Sequence, residues 1–139
     1  MAQVDFYVLD RVDEQARNTL ACKLAEKAWR LDNTIHIHTM TREDAERLDQ
    51  LLWTFRDGSF VPHGLAGDEN DAPITIGFGD SSVEPRDLLI TLCDEIPSFA
   101  QSFPRVAELV TADENCRAKS RQRYASYRDQ GHKLDTHKI

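Results

Sequence analysis

The chain has 139 residues, 40% of them hydrophobic and 29% charged, and 24 acidic against 17 basic side chains give a formal charge of −7. A chain of this length makes one domain, burying roughly two thirds of its unfolded surface without a disulfide or metal staple. No apolar run approaches the roughly 20 residues that cross a bilayer. Met1 to Asp10 also lacks the basic-then-apolar order of an export signal, so a cytoplasmic protein with no membrane contact is expected. Cys22, Cys93 and Cys116 are odd in number, far apart and in no CxxC pair, which reads as reduced thiols. The negative total argues against a protein that coats nucleic acid.

Val4 to Leu9 is a short β-branched and aromatic run, hence a strand. Ala16, Leu20, Leu24, Ala28 and Leu31 recur at helical spacing and predict a helix over 13–31. Thr34 to Thr39 alternates with period two, a second strand. Thr41 offers an N-cap with Asp44 three residues on, and Ala45, Leu48, Leu51 and Leu52 line one face of a second helix. Residues 57–73, with three glycines and two prolines, read as a long loop of the kind that is functional or mobile. Strands are then predicted at 74–78, 88–92 and 106–110, a short helix at 98–103, and a last helix over 113–130 closed by Gly131. Strands alternating with amphipathic helices make residues 1–139 a single three-layer α/β domain with a mostly parallel sheet.

The total charge conceals an asymmetry. From Arg117 onward seven basic residues face two acidic ones, a balance of +5 that leaves −12 on the first 116 residues. Within that segment Arg117, Arg121, Tyr124 and Arg128 stand at i, i+4, i+7 and i+11, within about 60° of one another on a helix. Guanidinium forks hold carboxylates bidentately and a tyrosine ring covers an apolar side chain, so the stripe suits an acidic peptide with a hydrophobic anchor. It also suits single-stranded nucleic acid stacked on Tyr124, although a single aromatic and the acidic body favour the peptide. A merely solvated basic face is the bland alternative.

Other constellations carry less. His36 and His38, two apart on one strand face, supply two of the three or more ligands a zinc site needs; a His-based metalloenzyme competes with two histidines on a partly exposed strand. Gly77-Phe-Gly79 follows a strand as a dinucleotide turn does, but Ser82 fills the third glycine position, and no GxxxxGK[ST] occurs, so no cofactor is implied. Cys93 has Asp94 and Glu95 beside it, which raises a thiol pKa and reads as a core thiol rather than a nucleophile. Trp53, Phe55, Phe60, Val61, Pro62 and Leu65 crowd into 13 residues, either a partner surface or a loop folded back on the core.

Six segments together resemble the chi subunit of the bacterial DNA polymerase III holoenzyme. They are Phe6-Tyr-Val-Leu-Asp10, Lys27-Ala-Trp-Arg30, Arg47-Leu-Asp-Gln-Leu-Leu-Trp53, Ser59-Phe-Val-Pro-His-Gly-Leu-Ala-Gly67, Arg86-Asp-Leu-Leu-Ile90 and Arg121-Gln-Arg-Tyr-Ala-Ser-Tyr-Arg128. The resemblance implies a Rossmann-like fold lacking the phosphate loop and a non-catalytic adaptor between the clamp loader and the acidic C-terminal tail of single-stranded DNA-binding protein. It implies that Val110, Arg117, Arg121, Tyr124 and Gly131 bind that tail, to which the stripe adds Arg128; Ala125 stands where well-studied members carry lysine. It also implies that Phe60, with Trp53, Pro62 and His63, meets the psi subunit or a competing DNA-repair helicase, and that DNA is contacted only indirectly.

Overall fold

The computed structural model describes residues 2–55, 61–65, 72–80 and 83–139. In chain order they form β1 (Gln3–Val8), α1 (Glu14–Arg30), β2 (Ile35–Thr39), α2 (Arg42–Thr54), β3 (His63–Leu65), β4 (Ile74–Phe78), β5 (Leu88–Thr91), a 3-10 turn (Ala100–Ser102), β6 (Arg105–Val110), α3 (Glu114–Asp129) and β7 (Lys133–Lys138). The sheet has seven strands in the order β3-β4-β2-β5-β6-β1-β7, and every pairing is parallel.

Local chemistry sets the helix starts. Asp13, Thr41 and Asp113 each hold extended backbone and accept the N–H three residues on, from Ala16, Asp44 and Cys116. Gly131, at φ +83°, follows the end of α3 in the left-handed conformation that glycine adopts without strain.

Strand alternation then distributes the core over two faces. Ile35, Ile37, Ile74, Ile76, Ile90 and Leu109 meet Ala21, Cys22 and Ala25 of α1 and Leu48 and Leu52 of α2. The intervening residues Val4, Phe6, Leu89, Val106 and Val110 meet Tyr127 and Tyr124 of α3, with Phe103 beside them. The result is the three-layer α/β arrangement expected, with α1 and α2 on one face and α3 on the other. Full burial of a side chain such as Ile37 contributes about 1.5–3 kcal/mol.

Two strands were not predicted. β3 lies inside the expected loop, and β7 follows Gly131, where no element was expected. Each is an edge strand of the sheet, short or strongly polar, so neither carries the apolar run or clean alternation that marks a buried strand.

Candidate functional site

The core face of α3 is fixed by a buried ionic group. Arg123 donates from Nε to Glu108 Oε1 at 3.0 Å and from Nη1 to the Asp94 carbonyl at 2.7 Å, and the Tyr127 hydroxyl donates to Glu108 Oε2 at 2.8 Å. Burial raises the Glu108 carboxyl pKa, opposed by the Arg123 charge and the two hydrogen bonds. Part of the basic excess seen in sequence is therefore internal to the fold, since Arg123 is neutralised in the core and Lys119 pairs with Asp94 at 2.9 Å.

The flank of α3 bearing the predicted stripe overlooks the carboxyl ends of β1, β6 and β7. There a cavity of about 370 Å³ is lined by Val8, Leu9, Val110 and Ile139, with Arg117, Arg121 and Lys138 supplying positive charge and Asp10 the one acidic side chain among the lining residues. Arg117 is anchored by an Nη2 donation to the Leu9 carbonyl at 3.2 Å, while its buried Nε has no hydrogen-bond partner among the described residues. Tyr124, one turn along α3, lays its ring against Phe6 with centroids 5.4 Å apart. Arg128 lies beyond it, exposed and 3.5 Å from Asp129, and Gly131 lies past the helix end. Of the tail-binding residues expected from the sequence, the structure thus brings Val110, Arg117 and Arg121 to one cavity and sets Tyr124, Arg128 and Gly131 along the flank leading from it. Lys138 and Ile139 were missed because they lie at and just past the end of β7.

On the other flank of α3 a larger cavity, about 640 Å³, opens above the carboxyl ends of β2 and β5. The chain leaves these neighbouring strands towards opposite faces of the sheet, the position at which open α/β sheets commonly take a ligand. Asp80, Asp94 and Glu95 line it, with Lys119 the only lysine or arginine, and Met40, Ile96, Pro97 and Phe99 form apolar wall. His38, at its base, belongs to a hydrogen-bonded chain: Thr75 Oγ1 to His36 Nδ1 at 2.8 Å, His36 Nε2 to His38 Nδ1 at 3.1 Å, and His38 Nε2 to the Gly79 carbonyl at 2.7 Å. A carbonyl only accepts, so with neutral rings His38 donates to Gly79, His36 to His38, and Thr75 to His36.

These histidines are fully buried, not partly exposed as expected; Phe99 covers both edge-on, at 6.0 and 4.8 Å between centroids. Every ring nitrogen is used, which leaves no lone pair for a metal without breaking the chain. Among the described residues no three His, Cys, Asp or Glu side chains gather as metal ligands do. Burial drives the His36 pKa down to about 3, with the His38 charge adding to the effect, and burial lowers that of His38 as well. The same imidazoles explain Gly77, since a Cβ there would lie 2.8 Å from His36 Cε1. Ser82, the third position of the glycine pattern, lies outside the described residues. Cys93 is half-buried with its thiol pKa raised, chiefly by burial rather than by Asp94 and Glu95.

The apolar cluster near the end of α2 divides between the two readings left open by the sequence. Val61 is buried, and Phe55 and Leu65 pack against the core. Trp53 stays 48% exposed. The His63 side chain is fully buried, with Nδ1 2.6 Å from the Val61 carbonyl, Nε2 3.0 Å from the Asp49 carbonyl, and its ring 4.7 Å from that of Trp53. Pro62 is half-buried beside it, and Phe60 lies outside the described residues.

Residues 1–135 match the family model of the DNA polymerase III chi subunit, HolC. The chain belongs to the DNA polymerase III chi subunit family. It is 42% identical over 139 residues to the DNA polymerase III subunit chi of Pseudomonas aeruginosa, covering 100% of this chain and 98% of that protein. It is 35% identical over 143 residues to the chi subunit of Escherichia coli, covering 98% and 97%, and 33% identical over 137 residues to that of Haemophilus influenzae, covering 96% and 95%. The chain is thus a replication accessory subunit of a family that is not itself catalytic. No helix among the described residues is long and apolar enough to cross a membrane.

Proposed function

We propose that this chi-family chain is an adaptor that receives the acidic C-terminal tail of single-stranded DNA-binding protein in the cavity beside α3 and couples it to the polymerase's clamp loader. The observation that carries this reading is a cationic rim around an apolar floor. Arg117, Arg121 and Lys138 present donors around Val8, Leu9, Val110 and Ile139. A peptide carboxylate accepts from such forks bidentately, while a terminal aromatic side chain buries itself on the floor. Tyr124, held by Phe6, extends that apolar surface along the helix. On the opposite side of the molecule Trp53, standing on the buried His63, is the exposed aromatic offered to the psi subunit or to a repair helicase competing for the same surface. The protein would work in the cytoplasm beside the replisome, with DNA reached only through the tail-bearing protein.

Titration of a fluorescent acidic peptide ending in Pro-Phe, read by anisotropy, tests the docking. Arg121→Ala and Tyr124→Ala should each weaken it at least several-fold, and the wild-type affinity should fall as salt rises. Unchanged affinity in both variants overturns the assignment. An oligonucleotide that binds as tightly as the peptide favours direct binding of single-stranded DNA instead.

A further inference from the structure

β7 ends at the candidate cavity and, among the described residues, is a free edge of the sheet. It pairs there with β1 on one side only and is last in the strand order. In a parallel strand the N–H and C=O of one residue point to the same side, and successive residues alternate. Lys133 N donates to the Ala2 carbonyl at 3.1 Å and Ile139 N to the Val8 carbonyl at 3.0 Å, which fixes the phase. Residues 133, 135, 137 and 139 face β1, so Leu134, Thr136 and Lys138 turn their backbone groups outward, to no neighbouring strand among the described residues.

An open edge accepts another extended segment, and its surroundings select which kind. Lys133 and Lys138 stand on the strand itself, and Arg121 and Arg128 on the adjoining helix flank. Of the carboxylates nearby, Asp135 accepts from Gln3 at 2.8 Å, Asp129 lies 3.5 Å from Arg128, and Asp10 at the cavity is outnumbered by Arg117, Arg121 and Lys138. The edge therefore favours an acidic peptide. It is also continuous with the cavity, whose lining includes Lys138, the last residue of β7, and Ile139 just past it.

We infer that an acidic peptide whose end enters the cavity adds its upstream residues to β7 as an eighth strand, parallel to β7. Because the cavity sits at the carboxyl ends of β1, β6 and β7, a peptide with its own carboxyl end there runs in the β7 direction. Antiparallel addition would carry that end towards Lys133. Three outward residues on β7 suit a paired segment of about five or six residues, at roughly 3.3 Å each. The terminal side chain gives anchorage, the backbone ladder fixes register, and the cations tolerate any acidic order upstream. This inference rests on the docking reading above.

The test uses the full-length protein and acidic nonapeptides ending in Pro-Phe, N-methylated at one upstream position at a time. Methylation at every second residue should weaken binding about threefold to tenfold, the range of one backbone hydrogen bond, with intervening positions unaffected. Thr136→Pro removes an outward donor while leaving the β1 ladder intact, and should weaken binding by a similar factor where Thr136→Val does not. A nitroxide at the peptide's amino end should broaden the amide signals near Lys133. Uniform tolerance of methylation with unchanged affinity in Thr136→Pro overturns strand addition, while a loss in Arg121→Ala still supports docking. Broadening near Ile139 instead overturns the parallel direction. Failure of the unmodified peptide to bind overturns the docking reading as well.

Discussion

α3 separates two cavities that differ in almost everything but position along the sheet. The larger, about 640 Å³ above β2 and β5, occupies the place where open parallel sheets ordinarily bind ligands. Yet acidic side chains line it, and the polar groups at its base are consumed internally by the Thr75-His36-His38-Gly79 chain. The smaller, about 370 Å³ above β1, β6 and β7, is basic and retains a buried guanidinium nitrogen with nothing to bond among the described residues. Volume points to the first cavity and positive charge to the second. In this family, which is not itself catalytic, the chain keeps a parallel α/β scaffold while the histidines at the base of its usual crevice are spent on structural hydrogen bonds.

Both flanks share one support, the Arg123, Glu108 and Tyr127 group beneath α3. Arg123→Ala strands Glu108 in the core and should lower unfolding free energy by about 3–5 kcal/mol, measured by urea denaturation. Tyr127→Phe, which removes one bond to the same carboxylate, should cost about 1–2 kcal/mol. A loss in Arg123→Ala no larger than in Tyr127→Phe contradicts the buried ion pair.

Acid probes the base of the larger cavity through His36. His36 binds a proton near pH 6.5 when unfolded but only near pH 3 when folded, so below pH 6.5 the unfolded chain holds more protons and stability falls. The loss should reach about 2–3 kcal/mol at pH 4.5 relative to neutrality, reported by the denaturation midpoint. The His36 ring resonances should remain those of neutral imidazole above pH 4, and titration near 6.5 contradicts the buried chain.

The mildest test sharpens the contrast in charge. Arg121→Glu, on the basic flank, should weaken an acidic tail peptide tenfold or more, whereas Lys119→Glu, on the other flank, should change it less than twofold. Equal losses would mean that overall charge, not the cavity, attracts the peptide.

Some of this was legible without coordinates. The stripe Arg117, Arg121, Tyr124 and Arg128 follows from helical spacing, because a helix projects side chains at a fixed 100° whatever packs against it. The alternation of strands and helices likewise implied one layered domain, and Thr41 and Asp44 marked a helix start that the structure shows. Which arginine faces water was not legible. Arg121 and Arg123 are two residues apart in similar sequence, yet one is exposed and the other is held by Glu108, a partner from a different element. The burial of His36 and His38 was hidden for the same reason, since the segment carrying Phe99 covers them from 61 residues further along the chain.

What the sequence determined by itself was local: capped helices, apolar strands, and the charge split that pointed to the end of the chain. Tertiary structure decided which charges were free to act and how the basic flank acquired a neighbouring edge. β7 has almost no apolar signature because edge strands bury little, and only its pairing with β1 brings Lys138 and Ile139 to the cavity. Charge and periodicity are properties of consecutive residues, whereas an unsatisfied donor or an open sheet edge exists only once distant segments have met.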